Sequence, residues 1–155
     1  MTKPAIATQH LSDPGAVRHY FAGTWSLTRR IIDRRAGLTG HFDGEAILRP
    51  DLQGFDYDET GSMRFGSYEG RASQSYRWDI DAVGTLVVRF RDGRLFHALD
   101  LSGGDMAVAH LCAADLYRGR FRLVDDVCWL SRWQVSGPRK DQLILNRYRR
   151  MPSPM

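Results

Sequence analysis

Two histidines stand in predicted strands of this chain, where an imidazole can react, bind or simply pack. His97 lies in the return strand of a hairpin that turns at Asp92 and Gly93, and His110 lies in an apolar strand further on. Because the pKa of an imidazole lies near neutrality, either ring could act as a general base, ligate haem or a metal ion, or donate to a bound anion. The alternative is a buried histidine that is hydrogen-bonded to a neighbour, and the sequence leaves both open.

An arginine in the first predicted strand is a further polar candidate. Arg29 follows Trp25 and Leu27 at a spacing of two residues, so it shares their face and is predicted to point into the protein. A buried guanidinium needs a partner of opposite charge. We expect a carboxylate such as Glu45 or Glu59, and the acidic group of a bound ligand is the alternative.

Large aromatic residues are frequent in the C-terminal half, among them Tyr117, Trp129, Trp133 and Tyr148. Such rings offer a wide contact area with few rotamers to freeze, which suits a flat or apolar ligand. The alternative is that they only fill the interior. The predicted ligand-binding residues are Arg29, His97, His110, Tyr117, Trp133 and Tyr148.

Recognised catalytic motifs are missing from the sequence. It contains no nucleophile elbow, phosphate-binding loop, H-E-x-x-H or dinucleotide fingerprint. We expect no metal site, because four ligands at zinc spacing are not apparent, and no particular cofactor is predicted. An enzyme is therefore the lesser alternative, as a barrel isomerase or lyase with His110 as the base and Tyr117 as the acid. A haem-binding barrel with His97 or His110 as the axial ligand is another alternative.

The elements that must position these residues are one short helix and a series of strands. Asp13 can cap a helix whose first residue is Pro14, and Val17, Tyr20 and Phe21 share one face of that helix. After the helix the apolar period changes to two, in short runs separated by tight turns. The predicted fold is mainly β, a single antiparallel barrel of eight to ten strands with a short N-terminal helix.

Small residues occupy several predicted inward positions, namely Gly44, Ala46 and Gly119. A purely structural core would fill such positions, because protein interiors pack near crystal density. The small residues therefore predict free volume inside the barrel. Together with the aromatic set and Arg29, they predict a small-molecule-binding barrel for an apolar or aromatic ligand that carries an anionic group.

The length and charge of the chain set further bounds. The 155 residues suit one domain, which we divide into a flexible arm (1–13), the barrel (14–150) and a tail (151–155). The 22 Lys and Arg and the 18 Asp and Glu give a net charge of +4, and the cations are spread along the chain among acids. Without a basic helix or an RNA-binding aromatic motif, we predict a mixed solvated surface and no nucleic-acid partner. The oligomeric state is left open.

The apolar segments and the cysteines bear on the cellular compartment. No apolar run approaches the roughly 20 residues of a membrane-spanning helix, and the first residues lack the apolar centre of a signal peptide. We therefore expect a cytoplasmic protein with no membrane partner. Cys112 and Cys128 show no C-x-x-C spacing, so both are expected to be reduced.

Five segments together resemble a bacterial family of unknown function with a calycin (lipocalin-like) barrel. They are residues 23–27, 42–46, 92–97, 109–117 and 133–140. The resemblance covers about residues 15–150 and implies the barrel fold but no activity. The Gly-x-Trp at the start of the first segment is similar to lipocalins, which implies that the helix closes one end of the barrel. It also implies that a late arginine, Arg147 or Arg149, packs over Trp25.

Overall fold

The computed structural model describes residues 11–103 and 105–152, and strands account for most of them. Ten strands follow one another in the chain, each antiparallel to its neighbour in the sheet. Their bounds are β1 (Gly23–Asp33), β2 (Leu38–Pro50), β3 (Gly54–Phe65), β4 (Tyr68–Ile80), β5 (Leu86–Phe90), β6 (Leu95–Leu99), β7 (Asp105–Cys112), β8 (Asp115–Asp125), β9 (Cys128–Gly137) and β10 (Lys140–Arg150).

The pairing of the first strand with the last turns this sheet into a barrel. β1 pairs with both β2 and β10, and the strand order is β6-β5-β4-β3-β2-β1-β10-β9-β8-β7. The two outermost strands, β6 and β7, lie near each other without a hydrogen-bonded ladder in the described chain, and a 3₁₀ turn at Leu101–Gly103 connects them. The predicted mainly-β antiparallel barrel is confirmed as a nearly closed one.

Among the described residues, one α-helix, α1 (Pro14–Phe21), precedes the barrel and covers one end of it. The side chain of Asp13 caps the helix by accepting a 2.8 Å hydrogen bond from the backbone N–H of Ala16, and Val17 is fully buried. The predicted short helix is confirmed. Within the described residues, no helix is long and apolar enough to cross a membrane.

Parts of the predicted arm and tail lie outside the described residues, namely residues 1–10 and 153–155. Leu11, at the end of the predicted arm, is buried and donates its backbone N–H to the carbonyl of Leu101 at 3.1 Å. The chain immediately before α1 is thereby attached to the turn between β6 and β7.

Trp25 forms the centre of the packing beneath the helix. Its side chain is fully buried, and its Nε1–H donates a 2.9 Å hydrogen bond to the carbonyl of Phe21. The indole meets Trp129 edge to face, with ring centroids 6.1 Å apart. The guanidinium of Arg150 lies 4.3 Å from the indole centroid, and its Nη1 donates to the carbonyl of Ala22 at 2.9 Å. The helix end, the first strand and the last strand are therefore joined at one point.

The arginine over Trp25 is thus Arg150, and the expectation of Arg147 or Arg149 is corrected. Those two side chains are exposed, whereas Tyr148 between them is buried. Because side chains alternate along a strand, Arg150 takes the inward parity of Tyr148 at the barrel end.

The small residues on the inward faces do not create free volume in the way the sequence suggested. A Cβ added at Gly44 would lie 2.2 Å from the carbonyl oxygen of Thr60, so this glycine permits close approach of the β3 backbone. A Cβ added at Gly119 would lie 2.6 Å from the Trp133 ring, which already fills that space. The volume predicted at these two positions is therefore occupied by backbone and indole.

We expect Gly44→Ala to lower the free energy of unfolding by about 1–3 kcal/mol, because the new methyl group would overlap backbone that cannot move aside. Urea unfolding measures the change. Gly103→Ala is the control, since a Cβ there would meet nothing within 4 Å. A stabilised Gly44→Ala protein would instead mean that the position borders free volume.

Candidate functional site

Arg29 points into the barrel, where it is held by a carboxylate and an amide. Its Nη2 contacts the two carboxylate oxygens of Glu59 at 2.8 and 3.1 Å, and its Nε donates to Oδ1 of Asn146 at 2.5 Å. The amide of Asn146 in turn donates to Oγ of Ser131 at 2.9 Å. The expected internal partner of Arg29 is therefore Glu59 on β3, while Glu45 is exposed.

Two tyrosines extend this buried polar group. The hydroxyl groups of Tyr57 and Tyr148 lie 2.8 Å apart, beside the carboxylate of Glu59. Burial raises the pKa of the Glu59 carboxyl, although Arg29 and the Tyr57 hydroxyl oppose this effect. Burial likewise raises the pKa of both phenols, so they are neutral at physiological pH.

Stacked aromatic rings surround the polar group. Trp129 stacks on Tyr148 with ring centroids 3.6 Å apart, and Phe96 stacks on Trp133 at 5.1 Å. These rings come from β6, β9 and β10, which bring them together across the barrel. The walls are therefore flat and largely apolar, which favours contact with another flat apolar surface.

A cavity of about 210 Å³ lies between these walls. Of the residues predicted to bind a ligand, Arg29, His97, Tyr117, Trp133 and Tyr148 line it. The remaining lining residues are Tyr57, Glu59, Gln74, Tyr76, Trp78, Val88, Phe96, Phe121, Trp129, Ser131, Ile144 and Asn146.

The sequence analysis missed the contribution of β3 and β4 to this cavity. Tyr57 and Glu59 alternate with exposed or half-buried residues, as do Tyr76 and Trp78. A period of two with aromatic residues on one face was the signal that could have identified them.

Two buried nitrogen atoms in the cavity wall have no hydrogen-bond partner among the described residues. They are Nδ1 of His97 and Nε1 of Trp129, whose residues are 7% and 1% exposed. Burial, and more weakly the nearby His110, lowers the pKa of His97 to about 3, so its imidazole is neutral at physiological pH. Buried polar groups normally have partners, so these two atoms are exceptions to the usual pattern.

The pKa of His97 predicts a loss of stability in mild acid. The unfolded chain binds a proton at an ordinary pKa of 6.5 and the folded chain only near pH 3, so stability falls as the pH drops below 6.5. Between pH 7 and pH 5 we expect the free energy of unfolding to fall by about 2 kcal/mol through this residue. Urea unfolding of His97→Leu should lack that part of the decrease. His41→Leu, at an exposed histidine, should show the full decrease in the free energy of unfolding between pH 7 and pH 5.

His110 lies beside the cavity rather than in its wall. It pairs across the sheet with Tyr117, at a distance of 6.5 Å between ring centroids, and packs against Phe96 at 5.4 Å. Its predicted roles as base, haem ligand or ligand contact remain predictions. Among the residues that the structure describes, no group of His, Cys, Asp and Glu could hold a metal ion, and Cys112 and Cys128 are free thiols.

The chain matches one family model and resembles several solved structures in shape. The model of a family described as "Family of unknown function (DUF6314)" matches residues 21–150, which is most of the chain. The chain belongs to DUF6314. No functionally curated protein matches it.

Solved structures of similar shape share little sequence with this DUF6314 chain. The S-type phycobiliprotein lyase CpeS from Guillardia theta is 9% identical, with a TM-score of 0.56 over 92% of this chain and 94% of that one. A protein of unknown function from the DUF3598 family of Nostoc punctiforme is 13% identical, with a TM-score of 0.50 over 97% of this chain and 54% of that one. A redesigned β-barrel, mFAP1, bound to DFHBI is 12% identical, with a TM-score of 0.43 over 86% and 98%. At such identities the first two of these matches show the fold alone.

Proposed function

We propose that this DUF6314 protein binds a small, neutral aromatic molecule inside its barrel. The observation that carries the proposal is the cavity itself, with stacked aromatic walls and two buried nitrogen atoms, His97 Nδ1 and Trp129 Nε1, that lack partners in the described chain. Apolar walls with a few convergent polar groups are typical of small-molecule sites.

The volume limits the size of the ligand. A dry cavity of about 150 Å³ accepts benzene, whereas sites for drug-sized molecules start at about 300 Å³. The 210 Å³ found here therefore suits one ring, or two fused rings with a small substituent. Haem is larger than this cavity, so we do not propose haem as the ligand.

The charges around the cavity favour a neutral ligand. The predicted anionic group of the ligand depended on the alternative in which Arg29 pairs with the ligand, but the expected internal carboxylate, Glu59, contacts Arg29 at 2.8 Å. An anion in the cavity would meet that carboxylate, and a cation would meet the guanidinium. The imidazole of His97 is neutral and adds no charge. The anionic part of the sequence-based prediction is therefore replaced by a neutral molecule.

The two nitrogen atoms indicate which polar groups the ligand carries. An indole N–H can only donate, so Trp129 requires an acceptor such as a carbonyl oxygen or a ring nitrogen. Nδ1 of a neutral imidazole accepts or donates according to its tautomer, so His97 adapts to either kind of group. The proposed ligand is thus an aromatic molecule with at least one hydrogen-bond acceptor.

A thermal-shift screen of matched aromatic pairs tests this proposal. Quinoline and naphthalene have the same shape but differ by one acceptor, and we expect quinoline to raise the melting temperature more. Trp129→Phe keeps a ring but removes the N–H, so it should weaken quinoline binding about fivefold and leave naphthalene nearly unchanged. If neither compound shifts the melting temperature, or if the variant weakens both equally, the proposal is wrong.

A further inference from the structure

The outer face of four neighbouring strands carries seven exposed arginines. Six of them are Arg30 on β1, Arg118 and Arg122 on β8, Arg132 on β9, and Arg147 and Arg149 on β10; the seventh is Arg120 on β8. We call this surface the arginine face. In the sequence these residues lie in four separate segments, and the order β1-β10-β9-β8 collects them on one side of the barrel.

The strand registers place these arginines in adjoining rows. Arg132 lies directly opposite Arg120, and Leu145 lies between Arg30 and Arg132. In the next row Leu130 lies between Arg147 and Arg122. Because neighbouring strands are about 5 Å apart, the guanidinium groups form a closely spaced array around two leucines.

Most of these arginines have no partner of opposite charge within the described chain. Within the described chain, none of the six arginines named first forms a hydrogen bond or ion pair through its side chain. On other strands of the barrel, Arg49 contacts Asp58 at 2.9 Å and Arg77 contacts Asp79 at 2.8 Å. Like charges on neighbouring strands destabilise a sheet. These six arginines therefore lower the stability of the isolated protein slightly and lack the internal partners found elsewhere in the described chain.

The face is also concave. A groove of about 860 Å³ runs between the arginine side chains, with Thr28, Leu130 and Leu145 along it. One carboxylate, Asp43, is among the residues that line the groove. The groove thus combines apolar contacts along its length with positive walls.

We propose that the arginine face binds an acidic segment of a partner protein, with carboxylates on the arginines and apolar side chains on the leucines. Arginine forks bind carboxylates through paired hydrogen bonds, and arginine is enriched at protein interfaces. A groove with an apolar floor accommodates a polypeptide better than a flat membrane surface. The outward residues described on these four strands include no aromatic ring, so bases of single-stranded nucleic acid would find no stacking platform.

The test measures binding of a fluorescein-labelled peptide with the repeat Glu-Glu-Leu by fluorescence anisotropy at several salt concentrations. The full chain is used, as wild type and as the double variant Arg122→Glu/Arg132→Glu. We expect the variant to raise the Kd at least about tenfold and added salt to weaken wild-type binding. Arg91→Glu/Arg94→Glu, with the same charge change at the exposed turn between β5 and β6, which contributes no residue to the groove, is the matched control and should bind like wild type.

Three competing probes make the result decisive: the repeat Gln-Gln-Leu, a 20-base-pair DNA duplex, and vesicles of phosphatidylserine and phosphatidylcholine. The proposal is overturned if the acidic peptide does not bind, if the neutral peptide binds equally well, or if DNA or vesicles bind more tightly. Circular dichroism verifies that each variant is folded. If Arg122→Glu/Arg132→Glu does not fold, Arg30→Glu/Arg147→Glu tests the same groove from its other side.

Discussion

Replacing Trp25 with alanine is expected to lower the free energy of unfolding by about 3–5 kcal/mol, the usual range for a buried tryptophan. The indole is fully buried, so its loss leaves a cavity between the helix and the barrel. The carbonyl of Phe21 would lose its hydrogen bond from Nε1, and Arg150 would lose the ring beneath it. The cavity, the lost hydrogen bond and the lost contact with Arg150 all lower the free energy of unfolding.

Urea unfolding measures this change, and Tyr68→Ala is its control. Tyr68 is an aromatic strand residue whose own exposure is 51%. Its replacement should lower the free energy of unfolding by less than about 1 kcal/mol. Because Trp25 does not line the cavity, the folded Trp25→Ala protein should bind aromatic ligands with nearly unchanged affinity. A melting temperature equal to that of wild type would show that Trp25 does not hold the helix to the barrel.

Replacing Glu59 with alanine is expected to cost about 3 kcal/mol, because it leaves the guanidinium of Arg29 inside the barrel without a counter-charge. The side chain of Glu59 is 2% exposed and that of Arg29 is 16% exposed, so water can replace the carboxylate only in part.

The double variant Arg29→Met/Glu59→Leu distinguishes an unpaired charge from a loss of packing. Removing both charges with side chains of similar volume should recover at least half of the stability lost in Glu59→Ala. Asp58, the residue before Glu59, forms an exposed ion pair with Arg49. Its replacement by alanine should lower the free energy of unfolding by less than about 1 kcal/mol. If the double variant is as unstable as Glu59→Ala, the pair contributes by packing and not by charge compensation.

The local features of the fold could be predicted because they depend on neighbouring residues in the chain. Asp13 and Pro14 mark the helix start through capping and a fixed φ, and alternation marks the strands. Alternation also gave the inward orientation of Arg29. The same rule separates its candidate partners, since Glu59 shares the face of Phe55 and Tyr57 whereas Glu45 lies between the inward Gly44 and Ala46.

The volume of the site could not be predicted from residue size. Gly44 and Gly119 are small for different reasons, one to admit the backbone of β3 and the other to admit the Trp133 ring. In each case the group that needs the space belongs to a different strand. The sequence does not show how close that strand comes to the glycine. The cavity depends instead on how the stacks formed by Phe96, Trp133 and their neighbours leave space between them.

The sequence by itself therefore determined which side chains of a strand share a face, because the alternation of Cβ atoms is a property of each strand alone. Only the tertiary structure decided which faces adjoin. The closure between β1 and β10 joins Arg30 to Leu145 across more than a hundred residues of chain, and it is this closure that gathers the arginine face. The long-range pairing also places His97 and Trp129 on one cavity, since contacts of that kind depend on strand order and not on spacing along the chain.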